Sequence, residues 1–475
     1  MPTADRGLAC ELTGWGRYPV VRGREIKSED LYAATALANL SRGLARSYGD
    51  SSLPATENDV VVNTSLANRM LEFNPQTGVL RAEAGVSLWQ LNRVFLPRKW
   101  FVPVSPGTQF VTLGGMIASD VHGKNHHVDG CFGQHVLSVK LRVADGRIID
   151  CSPQVETELF WATVGGMGLT GHIIEATVQM KPIASPWIWE ESQRIDGLDA
   201  MIDGLKRAAQ NWPMTVGWVD CLARGAHLGR GILMKGRWAE PSEAPARANK
   251  RGQSPFVRST LRAVPANGDC PLLFAPSSKS RLRVPFAFPH VALCRASMKA
   301  FNLLYFWKHL PRLKRRIVDP QAFFYPLDAL DDWNLIYGKR GFTQYQCVLP
   351  HAADNGPARR FLERFVSAGG MGFLCVIKDC GQEGRGMLSF PRPGISIALD
   401  FPIDRTKTPL LVNRLNELVL AEGGRIYLTK DTFTLAEHFR AMEPRLEAFN
   451  RVRRTWDPEG RLRSAQSVRL LGDKP

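Results

Sequence analysis

Along the first third of the chain, apolar positions switch between the period of a strand and that of a helix. Asp59-Val60-Val61-Val62-Asn63 is a short apolar run bounded by polar residues, which predicts a buried strand. Residues 78–85 read as a strand ending in a turn, and Leu88, Leu91, Val94 and Phe95 then recur at helical spacing over 86–95. Residues 136–143 and 148–149 flank Asp145-Gly146, a dipeptide that favours a tight hairpin. Residues 158–164 look helical, and 172–180 are a strand closed by Lys181-Pro182. A strand–helix pattern runs over 341–371, with strands at 373–378 and 395–401 and a helix at 410–422. Gly423-Gly424 ends that helix, and a last strand begins over 425–428.

Pro182 and Pro186 mark a domain boundary. Residues 240–283 are rich in Pro, Ser, Arg and Ala with little periodicity, which predicts a mobile insertion reaching to about 316. Over 297–317, Phe301, Leu303, Leu304, Tyr305, Phe306 and Trp307 sit beside Lys299, Lys308, Arg312, Lys314, Arg315 and Arg316. Such a mixture suits either a membrane interface or a core helix with a solvated basic end.

The 475 residues are 44% hydrophobic and 22% charged, a globular composition large enough for two or three domains. No apolar run is long enough to cross a bilayer, and residues 1–14 lack a secretory segment, so a cytoplasmic address is expected. Nine cysteines without a CxxC pair read as reduced thiols. The net charge of +16 favours an anionic partner. No zinc finger, RNP or bZIP pattern is present, so nucleic acid is not the partner expected.

Gly166, Gly168 and Gly171 form a nominal dinucleotide fingerprint, but helix precedes them and strand follows, the reverse of what a Rossmann site requires. Ser41 to Asp50 is more informative. Its small residues let backbone amides approach a diphosphate, and Arg42 and Arg46 add positive field; a plain surface turn is the alternative. Between Pro103 and His127 the glycines are dense enough to imply close backbone contact with something flat or phosphorylated. His122, His126 and His127 invite a metal, but no cysteine stands at ligand spacing and Lys124 lies among them, so none is expected.

The Arg46-Ser47-Tyr48-Gly49-Asp50 loop, Pro106-Gly107-Thr108, and Gly114-Gly115 followed by His122-Gly123-Lys124-Asn125-His126-His127 resemble the PCMH-type FAD-binding domain of the vanillyl-alcohol-oxidase flavoproteins. Thr13-Gly14-Trp15-Gly16-Arg17, the stretch 159–166, Gln344-Tyr345-Gln346, Leu388-Ser389-Phe390-Pro391, Asp400-Phe401-Pro402 and Tyr427-Leu428-Thr429-Lys430-Asp431 carry the resemblance over nearly the whole chain. It narrows there to the branch that oxidises polyprenyl-phosphoryl ribose. Residues 240–316 align least. The resemblance implies an α+β, two-domain fold. Residues 1–184 and 423–475 would form the FAD-binding domain, and 185–422 a substrate domain built on an antiparallel sheet with helices.

By the same resemblance, Arg42, Gly43, Leu44, Ala45, Arg46 and Ser47 would cradle the FAD diphosphate. Gly107, Thr108, Gly114, Gly115, Ser119, His122 and Gly123 would line the flavin, with Ile173 and Tyr427 completing the pocket. Some members tether FAD through a histidine in the diphosphate loop; Arg46-Ser47-Tyr48 stands there instead, so noncovalent FAD is expected. Removing hydride from a carbinol carbon requires a base or relay for the hydroxyl proton. Lys430, His122, Tyr48 and Lys378 match the family's catalytic positions, and Lys124, Gln344, Gln346, Trp218 and Tyr325 its substrate contacts. Ala398 replaces a reactive cysteine found in several members, a thiol that hydride transfer does not require.

The implied reaction is oxidation of the 2′-hydroxyl of polyprenyl-phosphoryl-β-D-ribose to a 2′-keto intermediate. A short-chain reductase partner would then complete epimerisation to arabinose, with the protein peripheral at the inner membrane face. A soluble alditol or sugar-lactone oxidase using oxygen is the alternative enzyme. A non-catalytic flavin- or membrane-binding scaffold is the alternative of another class.

Overall fold

Strands as short as those of the first 63 residues cannot close a core alone; a computed structural model, describing residues 7–244, 281–289 and 292–475, shows where they pair. β1 (Leu8–Thr13), β2 (Val20–Lys27), β3 (Leu40–Arg42) and β4 (Val60–Asn63) form one sheet in the order β1-β2-β4-β3. β5 (Met70–Asn74), β6 (Val79–Glu83), β8 (Val136–Arg142), β9 (Ile148–Cys151) and β10 (His172–Gln179) form a second, antiparallel sheet ordered β5-β6-β10-β8-β9. β7 (Trp100–Phe101) pairs with β11 (Lys181–Pro182). The predicted hairpin between β8 and β9 turns at Gly146, whose φ of +92° a side chain would disfavour. The helix Leu88–Phe95 starts from a capping box, in which Ser87 and Gln90 each accept the other's backbone N–H. Its buried face joins Leu80, Ile117, Phe132 and Phe160 in the core of this half.

β12 (Ile188–Ile195), β13 (Met214–Val219), β14 (Gly231–Trp238), β16 (Leu313–Val318), β18 (Phe342–Leu349), β19 (Cys375–Cys380), β20 (Gly394–Pro402) and β21 (Arg425–Ile426) form the large sheet. Its order is β16-β12-β14-β13-β19-β20-β18-β21, antiparallel throughout. The short β15 (Leu282–Arg283) and β17 (Leu330–Asp331) pair separately. One face of the large sheet is closed by the helices Leu198–Ala209, Gly356–Ser367 and Lys407–Ala421, with Leu205, Phe361, Ile397 and Leu415 in a second core. Alternation then sends Trp218, Lys378, Ala398, Asp400, Gln344 and Gln346 to the opposite face.

Three sequence expectations need correction. Residues 297–317 are not one unit. The helix Arg295–Trp307 ends, and β16 follows as the edge of the large sheet, with Arg316 opposite Glu190 and Arg315 opposite Glu191 on β12. Charges whose partners lie on another strand carry no strand signal of their own. Of the insertion expected over 240–316, residues 245–280 and 290–291 lie outside the described residues, and residues 295–316 supply that helix and most of that strand. The strand expected over 425–428 is only Arg425–Ile426, and it pairs with Cys347 and Val348 in the large sheet. After it come the helices Ala436–Met442, Leu446–Trp456 and Ala465–Leu471. Among the described residues, no helix is long and apolar enough to cross a membrane.

These last helices return to the N-terminal half. Phe449 enters its core, Arg463 pairs with Asp59 at 2.7 Å, and Arg469 bridges Asp50 and Asp431, each at 2.8 Å. Burial raises the Asp50 carboxyl, and Arg469 opposes that shift. Replacing Arg469 leaves two buried carboxylates uncompensated. Arg469→Ala should lose about 3 kcal/mol of stability, the range for breaking a buried pair. Denaturant unfolding checks this, with Arg469→Lys expected to lose less.

Candidate active site

The loop after β3 turns sharply at Ala45, whose φ of +54° is left-handed. Among the described residues, the backbone N–H groups of Leu44, Ala45, Arg46 and Ser47 donate to no protein acceptor. Arg42 donates to the Thr13 carbonyl at 2.8 Å, yet its Nη1 is buried without a partner among the described residues. Arg46 lies over the Trp15 ring at 3.8 Å, and its Nε is likewise buried and unpaired. Burial lowers both guanidinium pKa values. Unpaired donors this dry are costly unless an anion meets them. Gly43 lets the loop approach the next segment, since a Cβ there would come within 2.2 Å of Thr112 Oγ1. A Cβ on Gly107 would meet only open space, because that residue faces the cavity. Free amides, two arginines and a glycine-lined wall fit a flavin dinucleotide.

The cavity measures about 650 Å³ and runs from this loop to the face of the large sheet opposite the helices. Lys124, Lys378 and Lys430 enter it from three different elements. Burial lowers all three ammonium groups, Lys124 to about 7. Lys124 Nζ donates to the Phe324 carbonyl at 3.0 Å. Lys430 Nζ stands 3.7 Å from the centre of the Tyr48 ring. The Tyr48 phenol is pushed well above its usual range by burial, so it stays protonated and acts as a donor rather than a base. Gln346 Nε2 donates to His122 Nε2 at 3.0 Å, leaving the buried His122 Nδ1 without a protein partner. Burial, then the charge of Lys378, depresses His122 well below its ordinary pKa, so the ring is neutral. The chain bond from Tyr48 N–H to the Thr429 carbonyl, 2.9 Å, ties the diphosphate loop to the turn bearing Lys430.

Every residue expected from sequence to bind cofactor lines this cavity, as do Lys430, His122, Tyr48, Lys378, Lys124, Gln344, Gln346 and Trp218. Tyr325 is the exception. It is only 2% exposed, its hydroxyl bonds Ser105 Oγ at 2.6 Å and Asn92 Nδ2 at 3.1 Å, and it is not among the lining residues. Its neighbours Phe323, Phe324 and Pro326 take the wall instead. Ala398 lines the cavity opposite Gln346. The histidine cluster diverges, with His126 accepting from Gly381 N–H and His127 bonding the Trp212 carbonyl, so only His122 faces the cavity. Sequence reasoning missed Glu190 and its partner Arg316 at the cavity wall, and the aromatic side chains of Phe301, Tyr305 and Phe373. It also missed Asp400, although residue alternation from Ala398 along a strand points to it.

Residues 28–152 match the FAD binding domain family. The chain is 34% identical over 474 residues to the decaprenylphosphoryl-beta-D-ribose oxidase of Mycolicibacterium smegmatis, covering 97% of each. It is 33% identical over 387 residues to an uncharacterized protein in the mprA 5′ region of Streptomyces coelicolor, covering 81% of this chain and 100% of that one. Human Delta(24)-sterol reductase is 26% identical over 132 residues, 28% of this chain and 25% of the reductase. Similarity that runs from end to end, over a cavity built to meet a dinucleotide, places the chain in the decaprenylphosphoryl-β-D-ribose oxidase family of FAD-dependent oxidoreductases.

Proposed function

We propose that this protein oxidises the 2′-hydroxyl of a polyprenyl-phosphoryl-β-D-ribose, leaving a 2′-ketone for a separate short-chain reductase. The observation that carries this is a single cavity with a polar floor of lysines and glutamines and an aromatic wall of Trp218, Phe301, Tyr305 and Phe373. A sugar suits the floor and an isoprenoid chain the wall. The end-to-end similarity to a protein named for that substrate supports the assignment.

Arg42 to Ser47 hold the diphosphate through their unpaired donors, and the glycine wall from Gly107 to Gly123 accommodates the ring. Bound FAD supplies the hydride acceptor. Lys430, its pKa lowered by burial, is suited to receive the hydroxyl proton at Nζ, while Tyr48 and Gln344 orient the sugar. Lys378 adds positive charge beside neutral His122. Anaerobic mixing with farnesylphosphoryl ribose should bleach the flavin absorbance, and Lys430→Met should slow that step about 10²–10⁴-fold. Bleaching by free alditols with efficient peroxide release, and none by the lipid phosphate, would instead support the soluble sugar oxidase.

The cofactor is held without a covalent bond in this reading. Some family members tether flavin through a histidine in the diphosphate loop, and residues 41–50 contain neither histidine nor cysteine. Acid precipitation should therefore leave the yellow colour in the supernatant; a yellow pellet would contradict it.

The substrate reaches the cavity from a membrane surface. On the helix Arg295–Trp307 and the turn after it, Leu304 is 71% exposed, Trp307 49% and Leu310 60%, close to the basic edge strand β16. Phe301 and Tyr305 of the same helix line the cavity, so an isoprenoid chain could pass from lipid to site along it. Apolar side chains flanked by arginine and lysine suit an anionic bilayer face. Leu304→Glu with Trp307→Glu should weaken co-sedimentation with phosphatidylglycerol vesicles roughly tenfold or more, since each buried apolar side chain contributes about 1.5–3 kcal/mol.

A further inference from the structure

The strand register that opens the sheet face to the cavity also sets a carboxylate behind it. Asp400 lies two residues beyond Ala398 on β20, directly opposite Gln344 on β18. It is fully out of solvent. Its Oδ1 accepts from Gln344 Nε2, and this leaves the Gln344 carbonyl oxygen for the cavity. Its Oδ2 is buried and accepts from no group among the described residues. The cation that offsets this carboxylate is Lys430, which makes no salt bridge within 4.0 Å among the described residues and rests on the Tyr48 ring instead. Tyr48 from the diphosphate loop, Tyr337 with a hydroxyl unpaired among the described residues, Cys375 on the neighbouring strand, and His122 and Lys378 are other titratable groups around the pair.

We propose that Asp400 is a positioning residue for the reaction: it fixes the Gln344 amide with its carbonyl oxygen presented to substrate, and supplies the negative charge that stabilises the Lys430 ammonium once that lysine has taken a proton. A base that accepts a proton in a dry cavity becomes a buried cation, and nearby Lys378 makes that costlier. Asp400 offsets this without itself touching the reacting carbon. Burial raises Asp400 and lowers Lys430, and the charge of each opposes the other's shift. The inference rests on the cavity being the oxidation site, not on which sugar occupies it.

A carboxylate raises a neighbouring ammonium's pKa, so its removal lets Lys430 lose its proton at lower pH. In the flavin-loaded enzyme, Asp400→Asn should move the ascending limb of the pH profile of flavin reduction about one unit to lower pH. Asp400→Glu, which keeps the charge, should leave that limb in place even if turnover falls. A normal flavin content with an unmoved limb in Asp400→Asn would overturn the proposal. A second measurement needs no substrate. In holoenzyme carrying ¹³Cε-lysine, the Lys430 resonance, assigned by its loss in Lys430→Arg, should titrate at lower pH in Asp400→Asn than in the native protein and stay in place in Asp400→Glu. A resonance that titrates identically in Asp400→Asn and the native protein would overturn the proposal while leaving the assignment of the oxidised sugar intact.

Discussion

Buried positive charge is what the rest of this structure has to accommodate. Arg42, Arg46, Lys124, Lys378 and Lys430 all line one cavity, and burial lowers the pKa of each. Cations kept this dry are tolerated where an anion or an electron-rich surface meets them. Aromatic rings do part of that work, with Trp15 under Arg46 and Tyr48 under Lys430. The remaining donors, among them Arg42 Nη1 and the amides of Leu44 to Ser47, are suited to a diphosphate. The fold is organised around supplying those donors from one side and the lysines from the other.

Two sheets and a returning tail make that possible. The glycine-rich segment approaches the loop after β3 closely because Gly43 has no Cβ to strike Thr112. The large sheet turns a face toward it, closed behind by three helices. Arg469 then joins Asp50, just past the diphosphate loop, to Asp431, the neighbour of Lys430. A C-terminal side chain thus fixes the distance between the cofactor side and the chemical side. The tail is part of the site's geometry without entering it.

Much of this was legible in the sequence where the cause is local. The hairpin at Gly146, the helix capped by Ser87 and the loop of small residues between Ser41 and Asp50 each follow from neighbouring residues. Contacts made across the sheet were not. Nothing local marks β16 as a strand within the aromatic–basic stretch 297–317, because the glutamates that pair its arginines lie more than a hundred residues earlier, at Glu190 and Glu191. Tyr325 was expected to face substrate, but Ser105 and Asn92 hold its hydroxyl in the core. Asp400 carries no local signal beyond its place in Asp400-Phe401-Pro402, since its neighbours Gln344 and Lys430 come from other elements.

On the proposed function, hydride leaves one particular carbon, C2′, of a lipid-linked pentose in this cavity. Rapid-mixing measurement of flavin reduction with farnesylphosphoryl ribose deuterated at C2′, beside the same compound deuterated at C3′, reads this out. Reduction should be slower with the 2′-deuterated substrate alone. Equal rates for both labels, or an effect confined to C3′, would contradict it.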